Sequence, residues 1–124
     1  MKLQKDNSFI SGRLKSFSFA AKGAIKLITT EHSIMVQSFI TVIMIIIGFY
    51  LNITTTEWLF QTLAIGLVIS IEGLNTAVEK IADFIHPDYH KRIGFIKDIS
   101  AGAVFFAAIT AITIGLIIYV PKFL

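Results

Sequence analysis

The sequence predicts an all-α integral membrane protein: three transmembrane helices preceded by an N-terminal amphipathic helix on the membrane surface. Three observations predict it. Of 124 residues 55% are hydrophobic and the mean hydropathy is +0.77, more apolar surface than a soluble domain of this length buries. Three long apolar runs are separated by polar segments, and most lysines and arginines cluster in two of the segments that flank those runs.

The surface helix is expected over residues 12–30. Leu14, Phe17, Ala21, Ala24, Ile25 and Ile28 recur at helical spacing, and Arg13, Lys22 and Lys26 occupy the remaining surface. A plain anchoring and topology device would carry the same pattern. The first span, 34–51, has no charge, and at about 1.5 Å per residue it reaches roughly 27 Å, close to the thickness of a hydrocarbon core. A second helix is expected over 58–85 and a third over 97–120, ending before Pro121. Between them lie a short polar loop at 52–57 and a longer one at 86–98, in which Pro87 and Gly94 are expected to break helix.

Lys2, Lys5, Arg13, Lys15, Lys22 and Lys26 precede the first span, Lys91, Arg92 and Lys97 lie between the second and third, and the 52–57 loop has neither residue type. The positive-inside rule therefore expects the N-terminus and the 86–98 loop in the cytoplasm and the C-terminus outside, with Trp58 at the outer interface. The start of the chain lacks the pattern of a removable signal peptide, so what inserts is expected to stay. The absence of cysteine excludes disulfides and thiolate metal sites. Net charge is a modest +3, and there is neither an internal repeat nor a low-complexity segment; no nucleic-acid partner is expected.

The informative stretch is SIEGLNTAVEKIADFI, from Ser70 to Ile85. Spacings of three, four and four put Glu72, Asn75, Glu79 and Asp83 on one face of a helix. Counted from Trp58, Glu72 lies about 21 Å along the helix, still within a core of about 30 Å, and Glu79 lies near the cytoplasmic boundary. An acidic side chain at a helix centre costs about 2.5–3.5 kcal/mol on insertion scales, which disfavours a lipid-facing Glu72. A solvated helix end beside Lys80 would account for Glu79 and Asp83, and a paired or protonated carboxylate between helices for Glu72. A catalytic reading accounts for the group as a whole. Hard oxygen ligands suit Mg²⁺ carrying substrate phosphates, and a deeper carboxylate can serve as a general base. Glu31, between the surface helix and the first span, can bring a further carboxylate to the same metal. Lys97 can hold phosphate as a point charge, and the small residues Ser100, Ala101, Gly102 and Ala103 after Asp98 allow close helix packing, although topology and packing alone would also explain them.

No Gly-rich phosphate loop, soluble-kinase catalytic set or dinucleotide fingerprint is present, and His32, His86 and His90 lack zinc-binding spacing. A non-catalytic oligomeric membrane protein or ion-conducting bundle is a rival reading, and a metal-dependent lipid phosphatase another. The first and third spans carry only scattered polar residues, which disfavours a pore.

Glu72-Gly73-Leu74-Asn75-Thr76-Ala77-Val78-Glu79, then Asp83, then Lys97-Asp98 eighteen residues after Glu79, resembles the signature of the prokaryotic diacylglycerol kinase family, which includes undecaprenol kinases. The resemblance runs over nearly the whole chain, 1–124, as a single membrane lipid-kinase domain. It implies a homotrimeric helical bundle with active sites shared between subunits in the bacterial cytoplasmic membrane. The implied reaction is transfer of the γ-phosphoryl group of MgATP to a lipid hydroxyl. The family spans two acceptors; diacylglycerol, giving phosphatidic acid, is the one expected here, and undecaprenol is the alternative. By position, Glu72 resembles the base and Asn75 its support, while Glu31 and Glu79 resemble the metal carboxylates. Both of these carboxylates, with Arg13, Phe19, Asp83, Asp88, His90, Lys97 and Asp98, resemble the nucleotide contacts. The chain departs from the family pattern at Gly73, in place of an aliphatic residue, and at Ile96, in place of alanine. It also departs at Ser33 and Met35, in a region that with Glu72 resembles the lipid-acceptor site.

Overall fold

The computed structural model describes residues 9–124. Four helices follow one another: α1 (Phe9–Thr30), α2 (His32–Tyr50), α3 (Thr55–Ile85) and α4 (Lys91–Tyr119), the last continued by a 3-10 turn at Val120–Lys122. Three of them, α2, α3 and α4 with its turn, are long and apolar enough to cross a membrane. The chain is all-helical with three candidate spans, as its hydropathy predicts.

The helix ends have local causes. Between α1 and α2 only Glu31 leaves helical geometry, with φ −106° and ψ 117°. Hydrogen bonds bridge the break, from Glu31 N–H to the Leu27 carbonyl at 3.2 Å and from Met35 N–H to the Glu31 carbonyl at 3.0 Å. Between α2 and α3 the chain turns at Asn52, whose φ of 51° is the left-handed conformation that asparagine tolerates. The start of α3, three residues before the expected one, is a capping box. Thr54 Oγ1 accepts from Glu57 N–H at 3.1 Å, and Glu57 Oε1 accepts from Thr54 N–H at 2.8 Å. Glu57 also pairs with Lys122 at 3.1 Å, tying the head of α3 to the end of the chain.

The expected loop at 86–98 is corrected. Its non-helical part ends at His90, and α4 begins at Lys91 with Gly94 inside its first turn. His90 Nδ1 caps α4 by accepting from Arg92 N–H at 3.1 Å, and Gly94 N–H donates to the His90 carbonyl at 2.9 Å. One glycine costs a helix only about 1 kcal/mol relative to alanine. Here it also makes room for the Tyr89 ring, which lies 3.3 Å from where a Cβ would stand.

Helix α3 is central, packing against both α2 and α4. The buried positions include Ala64, Ala82 and Ala107, small residues that let helices approach, with Ile34, Val68 and Ile118. Phe39, Leu63, Phe106 and Ile117 are exposed, as befits a protein whose outer solvent is hydrocarbon. The one buried polar side chain among the described residues, Gln61, joins three helices: its amide donates to the Met44 carbonyl of α2 at 3.3 Å, and its oxygen accepts from the Tyr119 hydroxyl of α4.

Gly48 sits against the Trp58 ring, two of whose carbons lie 2.7 and 2.9 Å from the position of an added Cβ. Trp58 is also stacked obliquely on Phe49, with ring centroids 4.8 Å apart. Gly48→Val is therefore expected to destabilise the α2–α3 hairpin by about 1–3 kcal/mol through overpacking. Thermal unfolding in detergent measures this, and an unchanged midpoint would show that Trp58 is not seated on Gly48.

Candidate active site

One end of the bundle gathers the polar residues of the stripe. On α3, Glu72 and Asn75 are half-buried while Glu79 and Asp83 are exposed, so the stripe passes from packed surroundings to open surface within three turns. The Asn75 amide donates to Glu79 Oε1 at 3.2 Å. Asn75 Oδ1 is buried without a hydrogen-bond partner among the described residues, a position that calls for a donor.

Two lysines bind the stripe to neighbouring helices. Lys97 of α4 pairs with Asp83 at 2.6 Å, joining two residues expected at the nucleotide. Lys80 of α3 pairs with Glu31 at 2.9 Å, which brings the corner between α1 and α2 to the stripe. A further contact supports that corner. Gly73, next to Glu72, faces Leu27 of α1, whose Cδ1 lies 3.1 Å from the position of an added Cβ.

The remaining predicted residues are more dispersed. Arg13 and Phe19 are exposed on α1 and engage neighbours on their own helix, Arg13 over the Phe9 ring at 4.9 Å and Phe19 beneath Lys22 at 5.8 Å. Ser33 and Met35 are exposed on α2, one turn past Glu31. In the loop, the Asp88 carbonyl lies 2.6 Å from His86 Nδ1, and His90 serves as the α4 cap. Asp98 is exposed on α4 beside Lys97. Among the described residues no three His, Cys, Asp or Glu side chains converge to cage a metal.

Sequence reasoning missed Lys80 and Leu27 as parts of this site. Lys80 is the one basic residue in its helix, directly after Glu79, and that isolation was the available signal. Leu27 carried none, because its significance depends on Gly73 lying opposite.

An apolar cavity of about 350 Å³ runs between α2, α3 and α4, lined by Gln37, Met44, Gln61, Val68, Ile69 and Ile112 among others. At Ile69 it comes within one helical turn of Glu72.

The sequence profile of the prokaryotic diacylglycerol kinases matches residues 18–119. The chain belongs to the prokaryotic diacylglycerol kinase family. It is a lipid kinase, and ATP is the phosphoryl donor that such an enzyme implies. Every predicted site residue except Arg13 falls within the matched range. The undecaprenol kinase of Bacillus subtilis (strain 168) is 35% identical over 108 residues, 87% of this chain and 88% of that one. A diacylglycerol kinase of Synechocystis sp. (strain ATCC 27184 / PCC 6803 / Kazusa) is 31% identical over 112 residues, 90% of this chain and 64% of that one. The diacylglycerol kinase of Escherichia coli (strain K12) is 25% identical over 99 residues, 80% of this chain and 81% of that one.

Proposed function

We propose that this prokaryotic diacylglycerol kinase family member phosphorylates undecaprenol at the cytoplasmic face of the bacterial membrane, giving undecaprenyl phosphate. The single observation that carries the choice of acceptor is the 35% identity to an undecaprenol kinase across most of both chains, against 25–31% for the two diacylglycerol kinases above. It moves the proposal away from diacylglycerol, which the sequence alone favoured. Diacylglycerol is the second reading, on the strength of the Synechocystis relative.

The chemistry follows from the order of the stripe. A lipid hydroxyl approaches from the membrane side and meets Glu72, and MgATP approaches from the water side and meets Glu79. About 10 Å of helix separates those two carboxylates. Glu72 takes the hydroxyl proton as the lipid oxygen bonds to the γ-phosphorus, and the bond from that phosphorus to the bridging oxygen breaks to release ADP. Such a transfer asks the protein mainly for positioning and charge neutralisation. Glu31 and Glu79 would hold the magnesium, which takes only one or two carboxylates and would neutralise phosphate charge. Asn75 Oδ1, buried and without a partner among the described residues, would accept a hydrogen bond from a donor brought in with the substrates. Lys97, Asp83, Asp98, Asp88, His90, Arg13 and Phe19 are assigned to the nucleotide, and Ser33 and Met35 to the lipid. The apolar cavity ending near Glu72 suits part of the lipid tail.

The family resemblance extends the proposal to a homotrimer in which subunits share sites. In the membrane, α1 is assigned to the cytoplasmic surface. None of its residues is buried, and Phe9, Leu14, Phe17, Ile25 and Ile28 are exposed for contact with lipid.

The test is transfer of labelled γ-phosphate from MgATP in mixed micelles, with undecaprenol and diacylglycerol offered in parallel. The expected result is a higher kcat/KM on undecaprenol. The reverse order would assign diacylglycerol, and label on neither lipid from a folded, assembled protein would defeat both assignments.

A further inference from the structure

Lys80 follows Glu79 directly on α3. Its ammonium crosses from α3 to the corner between α1 and α2 and meets the Glu31 carboxylate at 2.9 Å. The Lys80 side chain is 69% exposed and that of Glu31 only 21%, so the carboxylate is the sheltered partner and the lysine the one with room to leave. Glu79 and Asp83 lie within the field of the same ammonium. Asp83 has a cation of its own in Lys97.

We propose that Lys80 is an internal counter-ion for Glu31, occupying that carboxylate until the magnesium brought by the nucleotide displaces it. The proposal rests on the reading of Glu31 as a metal-holding carboxylate. Without Lys80, Glu31 would be an unpaired, sheltered carboxylate, open to a divalent ion whether or not nucleotide came with it. A lysine is well suited to suppress such binding. It is a compact charge on a flexible four-carbon stem, and an ion pair this exposed is weak, so an arriving metal that brings its own phosphate ligands displaces it. Lys80 thereby makes occupancy of the metal position depend on the nucleotide.

The experiment uses Mn²⁺ as the probe, titrated by electron paramagnetic resonance into the nucleotide-free full chain in detergent. With the ammonium gone, Lys80→Met is expected to bind Mn²⁺ about tenfold more tightly than the wild type, from the loss of close like-charge repulsion in a partly solvated site. Lys80→Arg, which keeps the charge, is expected to stay within about twofold of the wild type. In Lys80→Met with Glu31→Gln the gain is expected to disappear. Mn²⁺ affinity unchanged in Lys80→Met, with binding still weakened by Glu31→Gln alone, would overturn the counter-ion role and leave Glu31 as a metal carboxylate. A gain that persists in the double variant would overturn the Glu31 reading and the proposal with it.

Discussion

Glu72→Gln is expected to abolish lipid phosphorylation, lowering kcat by about 10²–10⁴-fold, the range typical for loss of a positioned general base. Glutamine keeps the length and much of the hydrogen bonding of glutamate but cannot take the proton that the lipid hydroxyl must lose. Glu72 is half-buried on α3, about 10 Å of helix deeper than Glu79. The defect should therefore fall on the acceptor side. The KM for ATP is expected to stay within about threefold of the wild type, because the carboxylates assigned to the metal are untouched. Initial rates at saturating lipid, with assembly checked by size exclusion, make the measurement. A variant retaining more than about a tenth of wild-type kcat would remove Glu72 from the role of base.

The second large effect concerns Gly73. Its added Cβ would lie 3.1 Å from Leu27 Cδ1 and 3.9 Å from Cδ2, so a full leucine there cannot share the space with Leu27 as placed. Overpacking of this kind costs about 1–3 kcal/mol. The greater consequence is positional. The Leu27 carbonyl accepts the N–H of Glu31, so pushing Leu27 outward pushes the Glu31 corner away from the stripe. A displacement of about 1 Å can cost 10²-fold in rate, and Gly73→Leu is expected to lower kcat by about that factor. Removing the obstacle should restore it. Gly73→Leu combined with Leu27→Ala is expected to recover at least a tenth of wild-type kcat, with Gly73→Ala only mildly impaired because leucine can give by a few tenths of an ångström. Failure of the double variant to recover, with normal assembly, would show that Gly73 acts otherwise than by receiving Leu27.

What could be read in advance was local. Hydropathy marked the three spans, because crossing hydrocarbon demands about twenty apolar residues in sequence. The rotation of about 100° per residue put Glu72, Asn75, Glu79 and Asp83 on one face, and their spacing with Lys97-Asp98 carried the family resemblance. Pro87 and Gly94 point to a loop over 86–98, but the His90 cap starts α4 at Lys91 and the helix tolerates the one glycine at 94. The capping box at Thr54 and Glu57 is legible as a T-x-x-E pattern inside the polar 52–57 segment.

By itself, then, the sequence determined that this is an all-helical chain with three apolar spans and one acidic helix face, because each of those properties is written within one helix or one short motif. Only the tertiary structure decided which side chains meet: Lys80 with Glu31, Lys97 with Asp83, Leu27 with Gly73, and Gln61 with both Met44 and Tyr119. Each of those contacts joins residues on different helices or at the corner between two. Their distances depend on how α1, α2 and α4 rotate and slide against α3, and that packing is chosen by steric fit among all the facing side chains at once, which no local periodicity encodes.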